Sequence, residues 1–400
     1  MTQTPVAAKD LFARVLDPAS RPNPYPLYEQ MRKIPVAQLD EENYLVSTYQ
    51  EIAALLHHPS ISKEQRKSKI PVEGLREVAN QWILFLDPPE HTRLRRLVMH
   101  QFTPERIRGL QGRIVETVTD LLNAQQNQQQ LDLVETVSYP LPVTVICELL
   151  GVPREDEKRF HVWADTLTHG LDPALAKDPG ITQAFDEISH YMSQLIAQRR
   201  ANPKDDLVSG LALGTDPAGR MDDETLASTM ILLLLAGHET TVNLISNSML
   251  TLLRHPQEFQ KLRDHPERIP LVVEEVLRYD PPVQFVDRFA LTDITLAGVR
   301  IPQGSSIRPM LAAGDRDPQR FAHPDEFDPD RPDNEHFGFG GGDHYCVGAP
   351  LARLEAQITL TELTRRLVHP RLIVDPPPYR LNAVLRGPEH LLIAFDRLND

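Results

Sequence analysis

The sequence predicts a helix-rich protein with at least one small β hairpin and no internal domain boundary. Three observations lead there. Proline supplies 35 of 400 residues, against an average of about 5%, and many prolines fall in clusters such as "LDPPE", "YDPPV" and "FDPDRP". Such clusters stop helices and start turns, so the helices should be numerous and sharply bounded. Length alone would suggest two or three domains at ~150 residues each, but no Gly/Ser-rich or Pro-rich stretch and no repeat period divides the chain. The segment "DITLAGVRIPQG" alternates Ile294, Leu296 and Val299, Ile301 about Ala297-Gly298, which is the pattern of a hairpin.

The elements follow in order. The N-terminal stretch "MTQTPVAAKDLFARVLDPASRPNPY" has no basic region followed by an apolar core, so it does not read as a signal peptide. His91 and Arg95, in "LDPPEHTRLRRLV", are four apart and share a helix face; taken alone they read as solvated residues on an amphipathic helix. "AQQNQQQ" (124–130) reads as a solvated loop between helices. Cys147, in "VTVICELLG", reads as a small buried hydrophobe.

Residues 228–256, "STMILLLLAGHETTVNLISNSMLTLLRHP", predict a long helix, apolar all round and therefore buried. Gly237, His238, Glu239, Thr240 and Thr241 interrupt it. Acid and hydroxyl groups inside a buried helix are costly unless they serve something. The competing reading is that Thr240 bonds back to a carbonyl one turn earlier. Glu275 and Arg278, in "VVEEVLRYDPP", are three apart on a helix that Pro281 ends, so they can pair; alone, such a pair is by default a weak surface contact.

Several classes are excluded. The most apolar run, "MILLLLAG" (230–237), is far short of the ~18 residues that cross a membrane. Two cysteines rule out a disulfide framework. A net charge of −14 argues against nucleic acid as a main partner. The expectation is a soluble, cytoplasmic protein with no membrane insertion.

Cys346 lies in "HFGFGGGDHYCVGAPLARLEAQ" (336–357). A dinucleotide fingerprint fails because the sixth position from Gly338 is Asp343, and no Lys-Ser or Lys-Thr follows the glycines as a phosphate loop requires. Zinc needs more ligands than one Cys and one His, and "HET" at 238–240 lacks the second His of a zincin because residue 242 is Val242. A nucleophilic cysteine stays open, with a His brought in from elsewhere. So does a heme thiolate: porphyrin fills four iron positions and the protein supplies one axial atom. Gly340, Gly341 and Gly342 would let the backbone lie against a planar ring. A helix starting near Gly348 and Pro350 would point its N–H groups at the sulfur and favour the thiolate.

The run Phe339-Gly340-Gly341-Gly342-Asp343-His344-Tyr345-Cys346-Val347-Gly348 resembles the heme-thiolate signature F-G-x-G-x-H-x-C-x-G of the cytochrome P450 family. The resemblance extends from about Asn23 to the C-terminus. It implies a mainly α, triangular single domain with small β regions over 23–400, with 1–22 as an N-terminal extension of it. It implies heme b, ligated by Cys346, with Phe339, Gly340, His344 and Gly348 around the ligand. His91, Arg95, Arg288 and His344 would bind the propionates, a task that suits the arginine fork. Ala236 to Thr240 resembles the oxygen-activation motif A-G-x-E-T, where the helix widens beside the iron. Ala236 would face the cofactor, Thr240 would hydrogen-bond the activated oxygen and Glu239 would relay protons. Glu275 and Arg278 match E-x-x-R, with Arg331 as the third member of a buried structural network.

The implied reaction inserts one oxygen atom from O2 into an apolar small molecule (fatty-acyl, polyketide or terpenoid-like), possibly one with a carboxylate. The chain has no flavin, nicotinamide or iron–sulfur motif, so two electrons must come from a ferredoxin with its reductase or from a flavodoxin. Arg93, Arg96, Arg353, Arg365 and Arg366 are candidate docking cations. By the same resemblance, residues 61–86 cover the pocket with Trp82, Ile83, Leu84 and Phe85 as lining. The cations Lys63, Arg66, Lys67 and Lys69 there read first as a solvated loop, as charge runs on loops usually are, and second as a site for a carboxylate or an acyl-carrier partner. Two alternatives remain, a peroxide-driven oxygenase and a non-catalytic heme-thiolate sensor. The Glu239–Thr240 pair argues against both.

Overall fold

The computed structural model describes residues 5–70, 75, 79–214 and 220–399. The N-terminal part carries α1 (Pro5–Leu16), α2 (Tyr25–Arg32), β1 (Val36–Gln38), β2 (Asn43–Val46), α3 (Tyr49–Leu56) and β3 (Ile61–Ser62). A helical block follows: α4 (Glu90–Met99), α5 (Pro104–Gly109), α6 (Gln111–Asn123), α7 (Pro140–Leu150), α8 (Glu157–His169), α9 (Gly180–Ala201) and α10 (Leu207–Leu213). Strand β4 (Gln130–Asp132) interrupts that block between α6 and α7. Helices α11 (Asp223–Arg254), α12 (Pro256–Asp264) and α13 (Ile269–Tyr279) lead to strands β5 (Arg288–Ala290), β6 (Ile294–Leu296), β7 (Val299–Ile301) and β8 (Ser306–Pro309). After α14 (Leu311–Gly314) the last long helix is α15 (Ala349–Arg366), followed by β9 (Leu367–Val368), β10 (Arg371–Leu372), β11 (Leu392–Ala394) and β12 (Arg397–Leu398).

Prolines bound these helices, and often from the front. Pro104, Pro140 and Pro256 open α5, α7 and α12. The missing N–H is no loss in a first turn, where it would have no partner, so proline starts helices here as well as stopping them.

Helix α11 is the spine. The side chain of Asp222 caps it by accepting from the Thr225 amide at 2.7 Å. It packs on α7, α9 and α15, and its residues are buried on all sides. As an element it is long and apolar enough to cross a membrane, which the run 230–237 alone is not. Its most apolar window, however, is 83% buried inside the protein, as befits a core helix.

The largest sheet has the order β1-β2-β8-β5-β3. Strands β2 and β8 pair in parallel and the other neighbours are antiparallel. In the β3–β5 pair Ile61 faces Ala290 and Ser62 faces Phe289, so Lys63 comes out beside Arg288. The expected hairpin is β6–β7, with Ile294 opposite Ile301. Ala297 and Gly298 both have positive φ, 47° and 77°, as the tight turn of a twisted hairpin requires.

The polar run 124–130 is not wholly a loop. Gln130 opens β4, which pairs with β11. The strand Gln130-Leu131-Asp132 has its apolar residue, Leu131, buried, and this recruits the polar neighbour into the sheet.

Candidate active site

Cys346 sits between a glycine loop and the start of α15. The loop is closed by the Cys346 amide, which donates to the Phe339 carbonyl at 3.0 Å. Its sulfur opens onto a cavity of about 320 Å³ that Gly338, Phe339, Gly340 and Gly348 also line. Burial pushes the thiol up from its ordinary value, while the Gly348 and Ala349 amides, Arg95 and Arg353 pull it down. The start of α15 therefore does aim its N–H groups at the sulfur. The glycines divide the work differently from the expectation of a flat surface. Gly341 and Gly342 are not cavity residues. A Cβ on Gly342 would lie 2.2 Å from the Leu56 carbonyl oxygen and would need φ +64°. That glycine therefore lets the loop pass close to α3. Gly338 likewise faces the Leu277 carbonyl, 2.7 Å from where its Cβ would be.

The cationic residues read from three separate segments converge on this cavity. His91 and Arg95 reach it from α4, Arg288 from β5 and His344 from the cysteine loop. The His91 and His344 rings lie 4.2 Å apart, and the Arg95 guanidinium donates to the Tyr345 carbonyl. His91 is only 2% exposed, yet neither ring nitrogen has a partner within the protein. Burial holds both imidazoles below their ordinary pKa. Lys63 joins the group. It is 6% exposed, lines the cavity, and donates from Nζ to the Asp287 carbonyl at 3.1 Å. Its place in a charge run had made a solvated position the simpler reading. The β3–β5 pairing, invisible in a two-residue strand, turns it inward. Lys67 stays outside and pairs with Asp87 at 2.8 Å and Glu64 at 3.1 Å. Arg66 lies 3.7 Å from Glu64, and the Lys69 amide donates to the Gly304 carbonyl.

Across the cavity, α11 presents Ala236, Gly237, Thr240 and Thr241. The helix is continuous α over 236–241, without the widened turn the motif implied. The Thr240 hydroxyl instead donates to the Ala236 carbonyl at 2.7 Å, so the back-bonded geometry is the one present. A hydroxyl used this way still has lone pairs to accept with. Glu239 points away from the cavity and is 4% exposed. It pairs with Arg380 at 3.2 Å, which also lies 3.8 Å from Asp165 on α8. Burial raises the Glu239 carboxyl and Arg380 opposes that rise. Arg380 was missed from sequence; the one signal that could have found it is that a buried acid on an apolar helix needs a counter-charge. His238 is fully buried, with a pKa pushed down to about 3 chiefly by desolvation, and it packs edge-on against Tyr139.

The remaining wall is apolar. Ile83, Leu84 and Phe85 line the cavity, together with Val283, Phe285 and Val384. Trp82 does not. It is buried behind them, with its ring 5.9 Å from Phe85 and 6.3 Å from Phe185. Within the segment 61–86, residues 71–74 and 76–78 lie outside the described residues.

Below the cysteine loop, Arg278 grips Glu275 with two bonds of 2.7 and 2.8 Å, and both side chains are fully buried. Arg331 reaches the same carboxylate at 3.6 Å and donates to the carbonyls of Ala322, His323 and Glu326. The docking cations fare unevenly. Arg366 is 1% exposed; its guanidinium donates to the Asn399 and Thr119 carbonyls and to Asn123 Oδ1, so it belongs to the interior. Arg353 forks onto Glu274 at 2.6 and 2.8 Å and stacks over Phe339.

A single sulfur at the floor of an apolar cavity, with unpartnered imidazole and several cations gathered at one rim, fits a flat, dianionic macrocycle held by one axial thiolate. The molecule is therefore of the heme-thiolate oxygenase class. The chain belongs to the cytochrome P450 family, whose sequence model matches residues 34–392. It is 38% identical over 94% of its length to a biotin biosynthesis cytochrome P450 of Bacillus subtilis, of which it covers 96%. It is 40% identical to the cytochrome P450 monooxygenase PikC of Streptomyces venezuelae, covering 94% of this chain and 92% of that one. Ligand-free CYP164A2 of Mycobacterium smegmatis superposes with a TM-score of 0.90 at 41% identity, over 96% of this chain and all of that one. P450BioI in complex with an acyl carrier protein ligated to hexadec-9Z-enoic acid gives 0.89 at 37% identity, over 94% and 99% of the two chains. The cofactor is heme b, and the activity is that of a monooxygenase on apolar substrates, driven by external electron donors.

Proposed function

We propose that the substrate is an apolar acyl or polyketide-like chain whose polar end stays outside the cavity, as it would when carried on an acyl-carrier partner. The observation that carries this is the charge layout. Among the described lining residues, the cations Lys63, Arg95 and Arg288 all belong to one rim cluster, together with the imidazoles of His91 and His344. Away from it the wall offers hydroxyls, such as Thr168 and Thr241, the acidic side chains of Asp287 and Glu355, and hydrocarbon. A buried carboxylate needs a charged or multiply hydrogen-bonded partner, and that wall supplies none to a substrate. The relative solved with an acyl-loaded carrier protein supports the same reading.

Heme supplies the oxygen activation and insertion when bound. The protein's own residues do the rest. Phe85, Val283 and Phe285 exclude water and hold the chain. Thr240 accepts a hydrogen bond in the cavity and can pass on its own proton by releasing the Ala236 carbonyl. Glu239 exchanges protons with the outside on the side of the half-exposed Asp165, while Arg380 holds the two carboxylates in place and does not itself carry the proton. His91, Arg95, Arg288 and His344 hold the propionates. A ferredoxin with its reductase, or a flavodoxin, supplies the two electrons, and the protein works in the cytoplasm. Residues 23–400 act as one heme-thiolate domain. Residues 1–22 extend it, which the packing of Phe12 on Phe285 supports.

Spin-state titrations with a long-chain free acid, its methyl ester and its carrier-protein thioester test the substrate reading. The ester and thioester should bind at least as tightly as the acid. Tight binding confined to the free acid would sink it.

A further inference from the structure

One wall of the cavity is closed by side chains that reach across to backbone. On one side, the end of α8 and the corner that follows it (170–179) contribute Thr168 and Leu171 to the lining. On the other, the turn 381–385 contributes Val384 and Leu385. Leu171 packs on the same apolar cluster as these two, yet no strand pairing joins corner to turn among the described residues. The turn is the fixed side. The Gln284 amide donates to the Val384 carbonyl at 2.9 Å, Val283 and Leu385 form an antiparallel bridge, and Arg21 Nε donates to the Leu381 carbonyl at 2.9 Å. Two side chains tie the corner to it. Asp172, fully buried, accepts from the Ala383 amide with one oxygen and from the Ala174 amide, at 2.7 Å, with the other. Asn382 donates from Nδ2 to the Thr168 carbonyl at 3.1 Å, while its Oδ1 accepts from the Val384 and Leu385 amides of its own turn. The backbone bonds of the corner are local turns, such as Leu175 to Asp172 and Asp178 to Leu175. Segments held in this way open at lower free energy than the core helices behind them.

We infer that Asp172 and Asn382 are positioning residues for substrate selection: they hold Leu171 at a fixed spacing from Val384 and Leu385, and so limit the girth of the chain the cavity admits. Neither touches the reacting atoms. Each tie stands directly behind the lining, because Asp172 follows Leu171 in sequence and Ala383 precedes Val384. A ligand no wider than the gap leaves both ties intact, whereas a wider one must break one to be seated. The inference rests on the heme-thiolate reading for its readout and adds a limit on width to the apolar-chain substrate.

The test uses substrate-free holoenzyme as wild type, Asp172→Asn and Asn382→Ser. Asp172→Asn keeps an acceptor for the Ala174 amide and turns a donor toward the Ala383 amide, so it cuts one tie alone. Asn382→Ser keeps a hydroxyl acceptor for the turn and withdraws the donor from Thr168, so it cuts the other. Two azoles serve as probes, since each shifts the Soret band when its nitrogen binds the iron. One is 1-octylimidazole, a slim chain; the other is clotrimazole, which carries three aryl groups on one carbon. The slim probe should keep its affinity in both variants. The bulky probe should bind about tenfold tighter or more in Asp172→Asn, because the carboxylate hydrogen bond it had to break is gone. In Asn382→Ser, where the lost bond joins neutral groups, the gain should be about threefold or more. An equal change for both probes, or no gain for the bulky one, overturns the inference, since general softening of the fold would move both alike. Should Asp172→Asn not accumulate as holoprotein, Asn382→Ser decides by the same comparison. Failure of the underlying reading would look different. Wild type would then show no Soret shift with either azole and would lack the strongly red-shifted ferrous–carbon monoxide band of a thiolate-bound heme.

Discussion

At the scale of single residues, one cavity-facing hydroxyl and one buried carboxyl carry testable consequences. Thr240 lines the cavity and holds the Ala236 carbonyl at 2.7 Å. Thr240→Ala removes the cavity hydroxyl and leaves the helix its own hydrogen bonds, so folding should be untouched. Product formation should slow by about a hundredfold, in line with loss of a positioned proton donor, while electrons continue to be consumed and appear as hydrogen peroxide. Measuring product and peroxide per electron checks this, and full coupling in the variant would remove Thr240 from the mechanism. Glu355, on α15, is 2% exposed; its Oε2 lacks a partner, and burial pushes its carboxyl well above the ordinary range. An acid whose folded pKa exceeds its unfolded value gives stability that is complete below the ordinary carboxylate range. That stability drains away as pH rises through the raised value. Glu355→Gln copies the protonated form, so variant and wild type should melt alike near pH ~5, with the variant gaining roughly 2 °C or more by pH ~8. Thermal melts of the holoenzyme across that range decide it; an offset that does not change with pH would contradict the assignment.

At the scale of elements, the Glu275–Arg278–Arg331 network joins α13 to the loop beneath the cysteine. Removing one partner of a buried pair leaves the other charge uncompensated, at about 3–5 kcal/mol, a large share of the roughly 5–15 kcal/mol that holds a domain folded. Arg278→Ala should therefore abolish accumulation of holoprotein. Glu275→Gln, which can keep a bond to the Asp328 amide, should be less severe. Arg331→Ala should be mildest, since its carboxylate contact is 3.6 Å. Heme content read from the ferrous–carbon monoxide spectrum ranks the three, and equal damage from Arg331→Ala and Arg278→Ala would refute the order. This network was legible because local spacing carries it: positions three apart on a helix must face together. The cysteine loop was legible for the same reason, with six specified positions in ten consecutive residues. What was not legible depends on distant pairings. Arg380 meets Glu239 across some 140 residues of chain, Lys63 is turned inward by a strand of two residues, and Arg366 is drawn inside by the Asn399 carbonyl. None of these leaves a period or a signature, and in each case the local context of a charged residue points to solvent. Trp82 differs in kind: its apolar run was read correctly, but which of four neighbours faces the cavity is set by the 3₁₀ turn at Ile83–Phe85.

At the scale of the whole molecule, a net charge of −14 means that an acidic electron donor must approach against the overall field and be drawn in by a local basic face. The structure narrows the five candidate cations. Arg366 is interior, Arg353 is forked onto Glu274, Arg93 is only partly exposed, and Arg365 lies at the far end of α15 from Cys346. Arg96 is exposed on α4, next in sequence to Arg95, whose guanidinium bonds the carbonyl of Tyr345 beside Cys346. Met99, on the same helix, and Tyr345 are themselves unusually exposed for their types. Charge reversal at Arg96 should therefore slow reduction by a ferredoxin about tenfold at low ionic strength, within the range electrostatic steering provides. The difference should shrink as salt is added, because the Debye length falls to ~8 Å at physiological ionic strength. Substrate-induced spin shifts should not change, since Arg96 is not a cavity residue. Arg353→Glu is a poor probe of the same idea: it would set two carboxylates against each other at Glu274 and damage the proximal side, slowing reduction for the wrong reason. Stopped-flow reduction of wild type and Arg96→Glu over a salt series separates the cases. A salt-independent slowing would point to altered packing, and an unchanged rate would place the donor on another face.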